Sequence, residues 1–168
     1  MRSALIFFLL CTGSILSAQS IELRGGRNGI PGNYLSIGYE HYSNYLFNLS
    51  GRLFAEGSMI NGLRYKAIGV DALAEYGSNQ DDNAGSDFAF RVGLGATGQI
   101  ESEPWIYGGL RGSQKTNYGF VGVLSGEWWM SENFCLSAFV QQKYLFNSSL
   151  GHTRSAFGLG LKLRLQNN

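Results

Sequence analysis

The sequence predicts an all-β protein, an eight-stranded antiparallel up-and-down transmembrane β-barrel of outer-membrane type. Three observations lead there. The 168 residues include 24 glycines, 14% aromatic residues and only two prolines, a composition that disfavours helices and favours strands and turns. Eight segments alternate apolar and polar or small residues with a period of two, as strands with two different faces must. Finally, the charges of those segments share one face. No apolar run is long enough for a membrane helix, which needs about 20 residues. Any membrane form must therefore be a closed barrel, because lipid cannot satisfy open backbone edges.

Taken in order, Met1-Arg2 is a short basic start, and Ala4–Leu10 begins an apolar run that continues through small residues to Ala18. This reads as a Sec-type signal peptide over residues 1–18, with 19–168 left as a single barrel domain. Cys11 would leave with the signal, and Cys135 would then have no thiol partner in the chain. The first strand, Ser20–Gly26, sets Ile21 and Leu23 against Glu22 and Arg24. The second, Asn33–Tyr42, sets Leu35, Ile37, Tyr39 and His41 against Tyr34, Ser36, Gly38 and Glu40. The third, Tyr45–Glu56, sets Phe47, Leu49 and Leu53 against Ser50, Arg52 and Glu56. The fourth, Leu63–Tyr76, sets Ile68, Val70 and Tyr76 against Asp71, Leu73 and Glu75.

The fifth strand, Asp87–Glu101, sets Phe88, Phe90, Val92, Leu94 and Ile100 against Arg91, Gly93, Thr97 and Gln99. The sixth, Tyr118–Trp129, sets Phe120, Leu124 and Trp128 against Ser125 and Glu127. The seventh, Phe134–Tyr144, sets Leu136, Ala138 and Val140 against Ser137, Gln141 and Lys143. The last, Ser155–Gln166, carries Phe157, Leu159, Leu161, Leu163 and Leu165 on one face and Gly158, Gly160, Lys162 and Arg164 on the other. With both termini periplasmic, connections 26–33, 57–62, 102–117 and 145–154 are extracellular and should be the longer ones. Gly77–Ser86 departs from that rule.

The minority faces carry Glu22, Glu40, Glu56, Asp71, Glu75 and Glu127, together with Arg24, Arg52, Arg91, Lys143, Lys162 and Arg164. A soluble periplasmic ligand-binding barrel of the lipocalin kind would bury the apolar face and expose these charges. A membrane barrel would turn the apolar face to lipid and pair the charges inside. Aromatic residues near strand ends, namely Tyr42, Tyr45, Tyr65, Tyr76, Trp128, Trp129, Phe134 and Tyr144, fit a bilayer interface. Gly160, Leu163 and Leu165 resemble the C-terminal insertion signal of outer-membrane barrels, with Leu165 where an aromatic residue is usual. Lys66 and Gln142 are exceptions on the apolar face.

Two stretches carry a family resemblance. Ile21-Glu22-Leu23-Arg24-Gly25-Gly26 resembles the opening of the conjugal transfer protein TraO family of Bacteroidetes conjugative transposons. Phe157-Gly158-Leu159-Gly160-Leu161-Lys162 resembles that family's closing strand. The resemblance implies an envelope component of the mating apparatus in conjugative DNA transfer. It supplies no catalytic residues. The expected partners are outer-membrane lipid and other transfer proteins, met through Gly77–Ser86 or Ser102–Asn117.

No catalytic, cofactor or metal site is expected. Gly93, Gly95 and Gly98 fall within a strand and not at a strand–helix junction, so they form no nucleotide fingerprint. His41, His152 and Cys135 have no metal-ligand spacing, and Asp81-Asp82-Asn83 lacks that of a calcium loop. A net charge of +1 with interspersed signs gives no basic stripe for nucleic acid. No small-molecule substrate is expected. The enzymatic alternative is a lipid A deacylase-like protein, since His41-x-Ser43 resembles that family's His-x-Ser; it requires an acid to orient the histidine.

Overall fold

Alternation along each chain segment becomes a closed wall once neighbouring segments pair edge to edge. The computed structural model describes residues 20–29, 32–42, 47–60, 63–77, 88–102, 114–148 and 151–165. Its strands are β1 (Ser20–Asn28), β2 (Gly32–Tyr42), β3 (Phe47–Ile60), β4 (Leu63–Gly77), β5 (Phe88–Ser102), β6 (Gln114–Trp129), β7 (Phe134–Phe146) and β8 (Thr153–Arg164). Each pairs antiparallel with the next, and β8 pairs with β1, closing the barrel. The expected signal peptide lies outside the described residues.

Pairing fixes the barrel's shear. A path perpendicular to the strands runs from Ser20 through Glu40, Ser50, Leu73, Gly95, Val121 and Lys143 to Arg154. Ala156 already pairs with Asn28, so the path re-enters beyond the end of β1, about ten residues from its start. With eight strands, that stagger tilts them about 40° from the barrel axis.

Several strands run further than their sequence signals. Arg27 and Asn28 pair with Asn33 and Gly32, and Gly57–Ile60 pair with Leu63–Lys66. The first and third connections therefore shrink to residues 29–31 and 61–62. Gly, Asn and Ser at these hairpin tips read as loop in the sequence, yet the tips are short and the ladders continue into them. Loop length consequently does not separate the two ends of the barrel, contrary to the expectation of uniformly longer odd-numbered connections. The fourth and fifth connections, 78–87 and 103–113, lie outside the described residues.

At the opposite end from the termini, β7 turns into β8 with Asn147 at φ 67° and Gly151 at φ 98°, a backbone region that Gly and Asn tolerate. The Leu145 amide donates to the His152 carbonyl at 2.6 Å, and the His152 ring stacks on Tyr144. At the terminal end, the amides of Met130 and Ser131 both donate to the Phe134 carbonyl, tightening the β6–β7 turn. The Arg164 amide donates to Asn133 O at 2.9 Å, tying the last strand to that turn.

Faces sort by parity. Leu23, Leu35, Ile37, Leu53, Phe90 and Leu159 point outward and are exposed, and Leu94 reaches 70%. Pointing inward and buried are Tyr34, Phe54, Phe139 and Ala156 in one cluster and Leu73, Val121 and Val123 in another, together with nearly all the strand charges. This is the reverse of a soluble lipocalin-like barrel, so that alternative does not describe the chain. The outward run of β5 from Phe88 to Ile100, at ~3.3 Å per residue and this tilt, is roughly 30 Å tall, which suffices for a bilayer core.

Candidate functional site

The interior is organised around a neutral set of four acids and four bases. Arg24 lies 2.8 Å from Glu22, and Arg52 reaches Glu22 at 3.8 Å and Glu40 at 4.0 Å. Arg52 also donates to Glu75, which accepts from the Ser50 hydroxyl at 2.6 Å. Arg91 bridges Glu40 at 3.5 Å and Glu127 at 3.0 Å. Lys162 bridges the same two acids, lying 2.8 Å from Glu40 and in direct contact with Glu127. These eight side chains come from β1, β2, β3, β4, β5, β6 and β8. Only a closed barrel of this stagger brings them together.

Nearer the middle, Lys143 pairs with Glu56 at 3.2 Å and Asp71 at 3.5 Å, and its ammonium sits 3.0 Å from the centre of the Phe54 ring. Gln141 donates to Asp71 at 3.3 Å and accepts from the Tyr34 hydroxyl at 3.3 Å. The guanidinium of Arg24 lies 5.0 Å over the Phe139 ring. Arg164 is half-buried at the terminal end, its guanidinium 4.3 Å over Trp129. Aromatic faces thus complete what the carboxylates leave open to the cations.

Two buried interior charges are not assigned from the sequence. Glu101 and Arg154 are buried and pair at 3.2 Å at the end opposite the termini. There the Ser148 hydroxyl and the Gln99 amide also donate to Glu101, at 3.0 and 2.7 Å. Arg154 stands in the stretch that reads as the last connection, where no parity is assigned, whereas Glu101 closes the expected fifth strand on the same parity as Thr97 and Gln99. They are a matched pair, and adding them keeps acids and bases in balance.

Room for this network comes from glycine. A β-carbon on Gly160 would meet Arg24 Cγ at 3.0 Å and Glu22 Oε1 at 3.2 Å, and would press on the Ser137 hydroxyl. On Gly38 it would meet Arg52 Cγ at 2.7 Å. Gly160→Leu should therefore destabilise the folded barrel by about 1–3 kcal/mol through overpacking. Gly57→Ala, where the new methyl meets open space, should be near neutral. Guanidinium midpoints of the two variants test this, and equal midpoints would remove glycine packing from the account.

The other sequence-selected residues fall as follows. Gly160 is buried inside, whereas Leu163 and Leu165 lie on the exposed outer wall, Leu163 between Ile21 and Phe134 in register. His41 is outward and exposed, opposite Leu49, and Ser43 lies outside the described residues. Among strand residues whose side chains are described, no carboxylate lies on the outer face, so the acid a His-x-Ser site requires is not among them. Asp81-Asp82-Asn83 also lies outside the described residues.

Two groups of aromatic residues border the outer wall, whereas Tyr65 and Trp129, expected at the interface, turn inward and are buried under Arg154 and Arg164. Phe47 and Tyr76 meet at 5.1 Å toward the terminal end, where Phe88 pairs in register with Trp128. Tyr118, Phe120 and Tyr144 gather around Phe146 toward the other. Apolar outside, ionic inside and aromatic at both borders, this is the closed eight-stranded architecture of outer-membrane barrels.

Solved structures agree on that fold. Neisserial surface protein A (NspA) superposes with a TM-score of 0.65 at 15% identity, covering 87% of this chain and 95% of that one. The N-terminal β-barrel domain of Pseudomonas aeruginosa OprF gives 0.60 at 14% identity, covering 88% and 98%. Ail, the attachment invasion locus protein of Yersinia pestis, gives 0.56 at 14% identity, covering 87% and 95%. No protein-family profile and no curated sequence matches the chain significantly. At such identities the likeness concerns the fold.

Proposed function

We propose that this chain is an outer-membrane barrel, delivered by Sec-type export, that serves a conjugative transfer apparatus through protein contacts and not through catalysis. The observation that carries the membrane reading is the outer wall, apolar around all eight strands while the charges are paired within. A wall of exposed Leu, Ile, Val and Phe of this extent would aggregate in water and is satisfied by lipid. The plugged interior supports a scaffold role: an eight-stranded barrel is just wide enough for side chains, and here they are large, ionic and inaccessible.

The transfer role is supported by the resemblance of Ile21–Gly26 and Phe157–Lys162 to the TraO family. Residues 114–117 of the expected connection Ser102–Asn117 belong to β6, with Asn117 buried inside, so contact with other transfer proteins is assigned to the connections 78–87 and 103–113, because binding usually resides on loops held by a rigid scaffold. Direct nucleic-acid binding forms no part of this reading.

Conjugation frequency from a donor lacking this gene, with and without complementation, tests the role. A large loss restored by the wild-type gene is expected, together with outer-membrane fractionation and altered gel mobility of the unheated protein. Normal transfer from the deletion strain would overturn the conjugative assignment. A soluble product would overturn the membrane one.

A further inference from the structure

We infer that the outer wall carries a binding site for a phosphorylated, acylated membrane lipid, formed by β2, β3 and β4 with Arg27 of β1 beside them. The inference rests on the membrane reading above. Its first observation is a groove of about 270 Å³ on the outward surface. Leu35 and Ile68 wall it, and Ala55 lies between them in register. One row further from the termini, Gly57 lies between Asn33 and Lys66. The groove follows β3, where the small residues Ala55 and Gly57 stand between larger ones on β2 and β4. A side chain added at Gly57 would meet open space.

The second observation is charge. Among the strand residues whose side chains are described, Arg27 and Lys66 are the only Asp, Glu, Lys or Arg on the outer wall. Both are exposed, both lie at the end opposite the termini, and both are positive. They occupy one register row, Arg27–Asn33–Gly57–Lys66. That places their backbones three strand spacings apart, roughly 14 Å, a gap that two long side chains can narrow from both sides. Among the described residues neither takes part in an ion pair.

An apolar slot ending in two cations and an amide matches an acyl chain whose headgroup carries phosphate. The chain would lie along Ala55 and Gly57, and the phosphate oxygens would accept hydrogen bonds from Lys66, Arg27 and Asn33. A neutral lipid would fill the slot without compensating the cations, and a zwitterionic phospholipid would offer a single phosphate already offset by its own ammonium. Free phosphate would meet the cations without the slot. The occupant is thus a lipid of the leaflet surrounding this end of the barrel, recognised by its chain and its anionic head together.

The test uses the full mature barrel refolded in detergent and titrated with bisphosphorylated lipid A, bound lipid being counted by native mass spectrometry. Wild type should hold one lipid against detergent. Arg27→Ser with Lys66→Ser should weaken binding by at least about tenfold, since each cation near an anionic lipid surface contributes on the order of 1 kcal/mol. Gly57→Phe, which fills the slot but keeps both charges, should also weaken it. Arg27→Lys with Lys66→Arg should retain it. Equal binding by wild type and the Ser double variant, equal binding of dephosphorylated lipid A, or competition by millimolar inorganic phosphate alone would each overturn the site. Unheated gel mobility, unchanged in all variants, reports the barrel separately. A protein that never forms a detergent-solubilised barrel would fail the membrane reading instead.

Discussion

Lys162→Met should destabilise the folded barrel by about 3–5 kcal/mol, the cost of leaving buried charge without its partner. The Lys162 side chain is inaccessible and lies between Glu40 and Glu127. Its loss leaves the buried carboxylates of Glu40 and Glu127 to share the Arg91 guanidinium, with Arg52, 4.0 Å from Glu40, as further compensation. Guanidinium unfolding in phospholipid vesicles, followed by the fluorescence of Trp128 and Trp129, measures the cost. The diagnostic result is a second substitution. Adding Glu127→Gln to Lys162→Met removes the stranded charge and should recover about 1–2 kcal/mol, within the range of coupling between contacting residues. Strictly additive losses would mean that the two side chains do not act on each other, and the ionic interior would have to be redrawn.

The same two residues mark how far the sequence could be read. A period of two places Glu22, Arg24, Glu40 and Lys162 on one face, because strand side chains alternate regardless of what the strand pairs with. Which charge meets which is set by the barrel's stagger, a property of all eight strands together. That Arg52 reaches Glu22, Glu40 and Glu75 on three other strands is therefore not written in any local stretch. Parity also fails at strand ends. Arg27 and Arg154 sit beside glycines and polar residues that read as loop, yet their backbones remain in the ladder. The groove on the outer wall is a further case, since Ala55 and Gly57 gain meaning only beside Leu35 and Ile68 of the flanking strands. The proposed transfer role rests on the resemblance of Ile21–Gly26 and Phe157–Lys162, of which the opening stretch carries most of the weight. There the inward Glu22 and Arg24 already have a structural task in the ionic core, so packing alone can explain why those two residues are present.

Leu94→Arg should destabilise the barrel in a bilayer by about 2–4 kcal/mol, whereas Gln114→Arg should cost no more than about 1 kcal/mol. Both positions face outward and are exposed, so a protein surrounded by water would accept arginine at either with little difference. Leu94 lies midway along β5, level in register with Ala74 and Gly122 on the adjoining strands. Gln114 opens β6 at the far end of the wall. The predicted gap between the two variants arises only if the middle of the wall contacts hydrocarbon and its end approaches headgroups. Refolding each variant into phosphatidylcholine vesicles and comparing guanidinium midpoints measures that gap directly. Equal midpoints would place the whole outer face in one dielectric and remove the bilayer from the explanation of its apolar residues. A large gap would also locate the hydrocarbon boundary between the two positions. The Arg27–Lys66 row belongs at such a boundary, where cations meet phosphate.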